Sequence, residues 1–271
     1  MIEVEFEELK KIELELLIKI DRICCEQGLR YWLTAGTLLG AIRHKGFIPW
    51  DDDVDIAMPR KDYMLFIDYC KKNKVCFNLL SHEVNDAYFR LFAKACDNNT
   101  IIEDNEAYTK NCETGVWIDI FPLDGLGNDY KKAKNIFRTT KFKRSLLIAS
   151  IWKRYFRSKS RSIVYEPIRL FFYLGSRFVN KKKLIDDIER KYVDFDFDSS
   201  NYCGCVCGSY GVMDKEWFDE TIDVEFEGRK FKTIKEYDRL LKYFYGDYTS
   251  LPPVEQRTTH HDFKAFWKDR L

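Results

Sequence analysis

The sequence predicts an α+β fold: a mixed-sheet core flanked by helices, with a basic helical insertion. Three observations carry this. Residues Tyr31 to Pro59 read as strand, glycine turn, short helix, loop and strand. Four further short apolar or alternating runs, at Val75–Leu80, Tyr88–Ala95, Thr100–Glu103 and Val116–Phe121, have strand character. Between Tyr130 and Lys183 there are seventeen Lys or Arg residues against a single acid, Glu166, interleaved with apolar clusters at helical spacing. The composition shift near residue 129 divides the chain into a first core part (1–128), a basic helical insertion (129–195) and a C-terminal part completing the core (196–271).

The first element is an amphipathic helix over residues 3–27, where Phe6, Leu9, Ile12, Leu16, Ile20 and Ile23 recur every three or four residues. Gly28 is placed to cap it, and its predicted role is packing. Tyr31-Trp32-Leu33 then starts a strand, broken at Ala35-Gly36. Thr37 to Arg43 has helical spacing, with Leu38, Ala41 and Ile42 on one side. Gly46, Pro49 and the aspartates form a loop. Val54, Ile56 and Met58 alternate with Asp53, Asp55 and Ala57, so Asp53 and Asp55 project together.

Two carboxylates side by side repel unless a cation lies between them. Hard oxygen ligands of this kind suit Mg²⁺, or Mn²⁺, together with substrate phosphate oxygens. Gly36 and Thr37, at a strand-to-helix turn, offer backbone N–H groups and a hydroxyl to a phosphate. Each piece alone is ordinary: Asp-x-Asp is common in solvated turns, and Gly is the usual residue of tight turns. Their order, between apolar strands, makes the combination specific for phosphoryl transfer.

These residues bring a resemblance into view. The run GTLLGAIRHKGFIPWDDDVDIAM is similar to the signature of the LicD family of phosphotransferases, whose core is nucleotidyltransferase-like and shared with the fukutin-related transferases. In that pattern a Gly-Ser or Gly-Thr turn precedes two alternating aspartates and a third acid on a neighbouring strand. The matching positions are Gly36-Thr37, then Asp53 and Asp55, then Asp119 in WIDIFPLDG. A second match is YGDYTSLPPVEQR near the C-terminus; the middle of the chain carries no matching motif.

Further along, Pro59 to Lys72 reads as a helix buried through Tyr63, Phe66, Ile67 and Cys70. In Tyr88–Ala95, Arg90, Phe92 and Lys94 share a strand face, and Arg90 or Lys94 would reach a phosphate if that face neighbours the metal; a solvated face is the alternative. Asp119 lies among Trp117, Ile118, Ile120 and Phe121, a costly place for a carboxylate without a partner. Asp124 reads as a turn former and Asp194, Asp196 and Asp198 as a solvated turn. Residues 184–194 read as a short charged helix.

The basic insertion fits an anionic lipid surface, with a solvated helical layer as the alternative. No base-reading module is present, so nucleic acid is not expected. Cys203, Cys205 and Cys207 alternate as if on one strand face, and they read as small buried thiols rather than as a zinc site, which takes four ligands and wider spacing. A hairpin around FEGRKF, a helix from Ile234 to Phe244 and a stop at Pro252-Pro253 close the chain. Arg257 would contact the donor diphosphate, and His260 or His261 a phosphate or the acceptor.

Nine cysteines in a chain of this length, and an acidic N-terminus without an apolar core segment, predict a reduced, cytoplasmic protein. No apolar stretch is long enough to span a bilayer, so any membrane contact is peripheral, at the inner face. The resemblance implies transfer of a phospho-alcohol group, in the first place phosphocholine from CDP-choline, to a hydroxyl of a cell-surface glycan or its lipid-linked precursor, with release of CMP. In that scheme Asp53, Asp55 and Asp119 are catalytic and metal-binding, while Asp51 and Asp52 shape the loop. A nucleotidyltransferase using the same three aspartates, and a non-catalytic membrane-surface adaptor, are the alternatives.

Overall fold

The computed structural model describes residues 1–104, 106, 112–156, 163–259 and 263–268. Its centre is a mixed sheet in the order β1-β2-β6-β4-β3, extended by β7, which pairs with β6, and β8, which pairs with β7. These strands are Trp32–Leu33 (β1), Val54–Pro59 (β2), Asn78–Leu80 (β3), Ala93–Cys96 (β4), Trp117–Gly125 (β6), Tyr202–Cys205 (β7) and Met213–Asp214 (β8). β2 and β6 run parallel, and the other pairings are antiparallel. Helices flank this sheet, giving the mixed α+β arrangement of a nucleotidyltransferase-like core. β5 (Thr100–Glu103) pairs instead with β11 (Lys264–Trp267), and β9 (Thr221–Phe226) with β10 (Arg229–Ile234).

The N-terminal helix α1 spans Phe6–Gln27 and ends in Gly28, whose φ of 65° is the left-handed cap conformation. Of the predicted stripe, Leu9, Leu16, Ile20 and Ile23 are buried and Phe6 and Ile12 half-buried, while Leu17, Lys10 and Glu13 are buried as well. Helix α2 (Ala35–His44) follows β1 immediately. Helix α3 (Arg60–Lys72) buries Tyr63, Phe66, Ile67 and Cys70, the stripe read from the sequence.

β6 is longer than predicted, and all nine of its residues are buried. Pro122 lies inside it, where proline removes a ladder donor. The strand tolerates it because β4 pairs with β6 only as far as Ile120 and β7 begins at Leu123, leaving a gap opposite residues 121 and 122. Asp124 is therefore part of the strand rather than a turn. It is 1% exposed and receives Arg60 Nε at 2.7 Å and Nη2 at 3.1 Å. The Asp194–Asp198 run does fall in an irregular segment, but Asp198 is engaged there by Arg30.

The basic segment folds as α4 (Tyr130–Ser150), α5 (Glu166–Ser176) and α6 (Lys181–Glu189), the last starting three residues earlier than predicted because the Asn180 side chain caps it. Leu146, Leu147, Leu184, Ile185 and Ile188 form a hydrophobic cluster together with Leu91, Leu126 and Val206. Helix α7 (Tyr237–Tyr245) buries Leu240 and Leu241. No helix among the described residues is long and apolar enough to cross a membrane.

Candidate active site

The site lies where β2, α2 and the end of α7 converge. β1 passes into α2 through Ala35, which carries the positive φ, 47°, so the backbone bend falls one residue before Gly36. Gly36 is required for a different reason. A Cβ there would lie 2.6 Å from Asp51 Oδ2, so the aspartate loop packs directly on the glycine. Thr37 is 4% exposed, and its hydroxyl accepts a hydrogen bond from the Asp55 amide at 2.7 Å. That bond ties the first turn of α2 to β2 and sets the height of Asp55 on its strand.

The aspartate loop is more compact than the strand alternation predicts. Asp51 and Asp52 are buried, and oxygens from Asp51, Asp52 and Asp53 all lie within 4.8 Å of one another. Such a group has the oxygen ligands and spacing to hold a divalent cation. Among the described residues, Asp53, Asp55 and Asp119 do not form a set this tight. Asp55 and Asp119 are instead opposed in the parallel register of β2 and β6. Burial, followed by the charges of Asp53, Asp119 and Asp51, pushes the Asp55 carboxyl well above the usual carboxylate range, and Lys94 only partly offsets this.

Lys94 is opposed to Asp119 across β4 and β6, and its Nζ donates to Asp119 Oδ1 at 2.7 Å. The ammonium also sits 3.8 Å from the Trp117 ring centroid. Burial lowers the pKa of this lysine, against the opposing pull of Asp119. Lys94, expected to reach a phosphate, thus stands beside the acidic row with its ammonium hydrogen-bonded to Asp119. Arg90 is not on the same strand face, because β4 begins only at Ala93. Its guanidinium pairs with Glu106 and lies over the Phe92 ring, an arrangement that directs it away from a phosphate role.

A cavity of about 640 Å³ opens over this platform, lined by Gly36, Arg43, Trp50, Asp51, Asp53 and Asp55 on one side. Tyr245, Asp247, Tyr248, Ser250, Pro252 and Gln256 form the other wall, so the second sequence motif, YGDYTSLPP, closes over the first. Arg43, which the sequence reading left unassigned, holds the two together: its Nη1 donates to the carbonyls of Tyr248 (3.1 Å) and Ser250 (3.3 Å). Arg257 donates from Nε to Pro252 O at 2.9 Å and stacks 5.4 Å from the Trp50 ring centroid. Burial and the nearby Arg257 charge both lower the Arg43 pKa, so two cations stand close together at the cavity. Tyr245 is raised, first by burial and then by Asp55, Asp51 and Asp53, which puts its hydroxyl in the field of the aspartates. His260 and His261 lie outside the described residues.

Cys203 and Cys205 are buried in β7, but Cys207 lies beyond the strand in a turn, so the three do not share one strand face. The turn brings Cys207 Sγ back to 2.7 Å from Cys205 Sγ and 3.2 Å from Ser209 Oγ.

Against known proteins, residues 28–161 match the family described as LicD/FKTN/FKRP, nucleotidyltransferase domain. The chain is 32% identical over 262 residues to lipopolysaccharide cholinephosphotransferase LicD of Haemophilus influenzae, covering 93% of this chain and 94% of that protein. Most of the basic middle segment, which carries no motif of its own, therefore has a counterpart there. A shorter stretch of 35 residues, 13% of this chain and 7% of the relative, is 57% identical to human ribitol 5-phosphate transferase FKRP. An uncharacterized protein of Rickettsia typhi is 30% identical over 141 residues, 45% of each chain. With near full-length similarity on one side and a cavity built from both matching motifs on the other, the chain belongs to the LicD family and is an enzyme of its phosphotransferase type.

Proposed function

We propose that this enzyme transfers a phospho-alcohol group from a CDP-linked donor, phosphocholine from CDP-choline in the first place, to a hydroxyl of a glycan or lipid-linked sugar, releasing CMP. The observation that carries this reading is the shared cavity: carboxylates of the aspartate loop and β2 form its floor, and Arg43 stands in its wall beside Arg257. A diphosphate needs both, a cation-bearing acidic floor and positive charge on its other oxygens. The near full-length relative is named for cholinephosphate transfer, which favours choline as the donor alcohol.

The donor set fits a hard divalent cation, since it is made of carboxylate oxygens close enough to share one ion. Asp51, Asp52 and Asp53 would hold Mg²⁺ or Mn²⁺, with Asp55 and Asp119 beside them, and the ion would offset charge on the diphosphate. Gly36 lets the donor and the aspartate loop approach the start of α2. Arg43 and Arg257 hold the donor anion, and Trp50 and Tyr245 wall the cavity against water. Asp55, with its raised pKa, is suited to take the proton of the attacking hydroxyl. Asp119, its charge balanced by Lys94, fixes the acidic row. The hydroxyl oxygen bonds to the distal phosphorus as the phosphorus–oxygen bond to CMP breaks.

The basic helices α4 to α6 would bring this site to an anionic membrane surface carrying a lipid-linked acceptor, with the protein on the cytoplasmic side and nucleic acid not a partner. These helices form a basic insertion, residues 129–195, between a first core part, 1–128, and a C-terminal part, 196–271, that completes the core.

CMP release from a panel of CDP-alcohols, with a glycan acceptor and with or without Mg²⁺, tests the reading. Magnesium-dependent CMP from one donor, lost in Asp53→Asn and Asp119→Asn, is expected. Pyrophosphate release from a nucleoside triphosphate, with no CMP from any CDP-alcohol, would transfer the assignment to a nucleotidyltransferase.

A further inference from the structure

Helix α1 precedes both motifs, and its sequence pattern predicts nothing but packing. Two of its buried residues break that pattern: Lys10 and Glu13, three apart and so on one side of the helix. Lys10 Nζ donates to the carbonyl of Pro49 at 3.1 Å, which fixes α1 against the loop leading into the aspartates. Glu13, one turn on, is 2% exposed. Its Oε2 is fully buried and has no hydrogen-bond partner among the described residues.

A buried carboxylate oxygen without a donor is among the costliest arrangements in a protein interior. A purely structural glutamate at such a depth is normally paired with a cation or with N–H groups. Here the surrounding charges are of its own sign, since Asp53, Asp52, Asp51 and Asp119 all act on it. Positive charge arriving beside these groups would relieve this arrangement.

We infer that Glu13 is an outer carboxylate of the cation site, brought by α1 to the Asp51–Asp53 loop from outside the matching motifs. This rests on reading that loop as the place of the divalent cation. The consequence is that α1 is part of the active site. Lys10 sets the distance between helix and loop, and Glu13 adds a buried acidic group with an unpartnered oxygen. Metal loading should then clamp α1 onto the sheet.

The test is Mn²⁺ binding, measured by the loss of the free-ion paramagnetic resonance signal, alone and with CDP, on the full chain and on Glu13→Gln, Glu13→Asp and Asp53→Asn. Glu13→Gln keeps the shape and removes the charge, and it should weaken Mn²⁺ on the order of 10-fold or more, the usual cost of losing an outer partner of a metal site. It should also raise the melting temperature in EDTA and shrink the further rise produced by Mn²⁺. Glu13→Asp keeps the charge and should bind more tightly than Glu13→Gln. Unchanged affinity in Glu13→Gln, with Asp53→Asn weakened, would overturn the role of Glu13 and leave the loop as the metal site. No Mn²⁺ binding by the unmodified chain would overturn both.

Discussion

Lys94 Nζ lies 2.7 Å from Asp119 Oδ1, with both side chains buried and their Cα atoms opposed across β4 and β6. Removing the lysine leaves a carboxylate in the sheet centre with the neighbouring aspartates and no balancing charge. Lys94→Met should therefore lower unfolding free energy by about 3–5 kcal/mol, the usual cost of breaking a buried pair from one side. Lys94→Met combined with Asp119→Leu should recover most of that loss, since no charge is then left unpaired. Urea denaturation of the two variants checks this. Equal destabilisation in both would mean that the ammonium stabilises mainly through Trp117, 3.8 Å from it.

Gly36→Ala places a methyl carbon 2.6 Å from the present position of Asp51 Oδ2. The carboxylate can move more easily than the backbone, so the fold should survive while the aspartate loop shifts. CMP formation is expected to fall by at least 10-fold, because small misplacements at a reacting site are costly. The melting temperature in EDTA should change by only a few degrees. A variant with normal turnover would show that Asp51 is free to move without consequence.

Burial and neighbouring aspartates raise the Asp55 pKa in the folded chain. A group raised on folding binds more protons in the native state, so its stabilising contribution is complete below the unfolded carboxylate range. That contribution is lost as pH rises through the higher folded value. In EDTA, the stability difference between the unmodified chain and Asp55→Asn should therefore move against the unmodified chain as pH rises from acid towards neutrality. Added Mg²⁺ should reduce that drift. Melting curves across this window, with and without the ion, measure it.

The parts of the site legible in the sequence are those whose geometry is local. Asp55 lies on β2 with Asp53 one residue before the strand begins, Gly36 and Thr37 stand in the first turn of α2, and the apolar stripe of α3 follows from helical spacing alone. Asp119 was legible because an acid among Trp, Ile and Phe needs a reason. What could not be read depends on tertiary approach. Arg43 looks like an ordinary cation at the end of α2, yet it joins the two motifs through the carbonyls of Tyr248 and Ser250. Glu13 looks like one of many acids on α1, and only its burial distinguishes it. YFRLFAKA alternates throughout and so places Arg90 on the strand, while its ladder partners exist only from Ala93 onward. The irregular backbone before that point turns the guanidinium to Glu106.

Arg43 stands in the cavity wall and carries the contacts of the YGDYTSLPP segment. Arg43→Ala should raise the KM for the CDP-linked donor by at least 10-fold, with a smaller fall in kcat, because most of what it supplies is binding of the donor anion. Arg43→Lys should recover little, since a single ammonium cannot donate to both carbonyls and the anion in the geometry of the planar guanidinium. Initial rates of CMP release against donor concentration separate the two constants. A change confined to kcat would place Arg43 at the transferring phosphoryl group instead.

The apolar side chains of α5 and the turn after it are exposed to a degree unusual for a helix that only packs. Phe178 is 91% exposed, Phe171 62%, Ile168 55% and Leu174 53%, in the segment where basic residues outnumber acids seventeen to one. Aromatic and aliphatic groups flanked by lysine and arginine are suited to the headgroup boundary of an anionic bilayer. Phe171→Ser combined with Phe178→Ser removes two exposed groups without opening the core. Co-sedimentation with vesicles rich in an acidic phospholipid should fall several-fold in the double variant. CMP release with a water-soluble acceptor should stay unchanged, because the cavity does not include α5. Binding should also weaken with added salt, as screening acts on the basic side chains but not on apolar insertion. If the double variant binds vesicles as the unmodified chain does, the lysines and arginines alone hold the surface. If neither binds, α4 to α6 are a solvated helical layer and the acceptor reaches the site from solution.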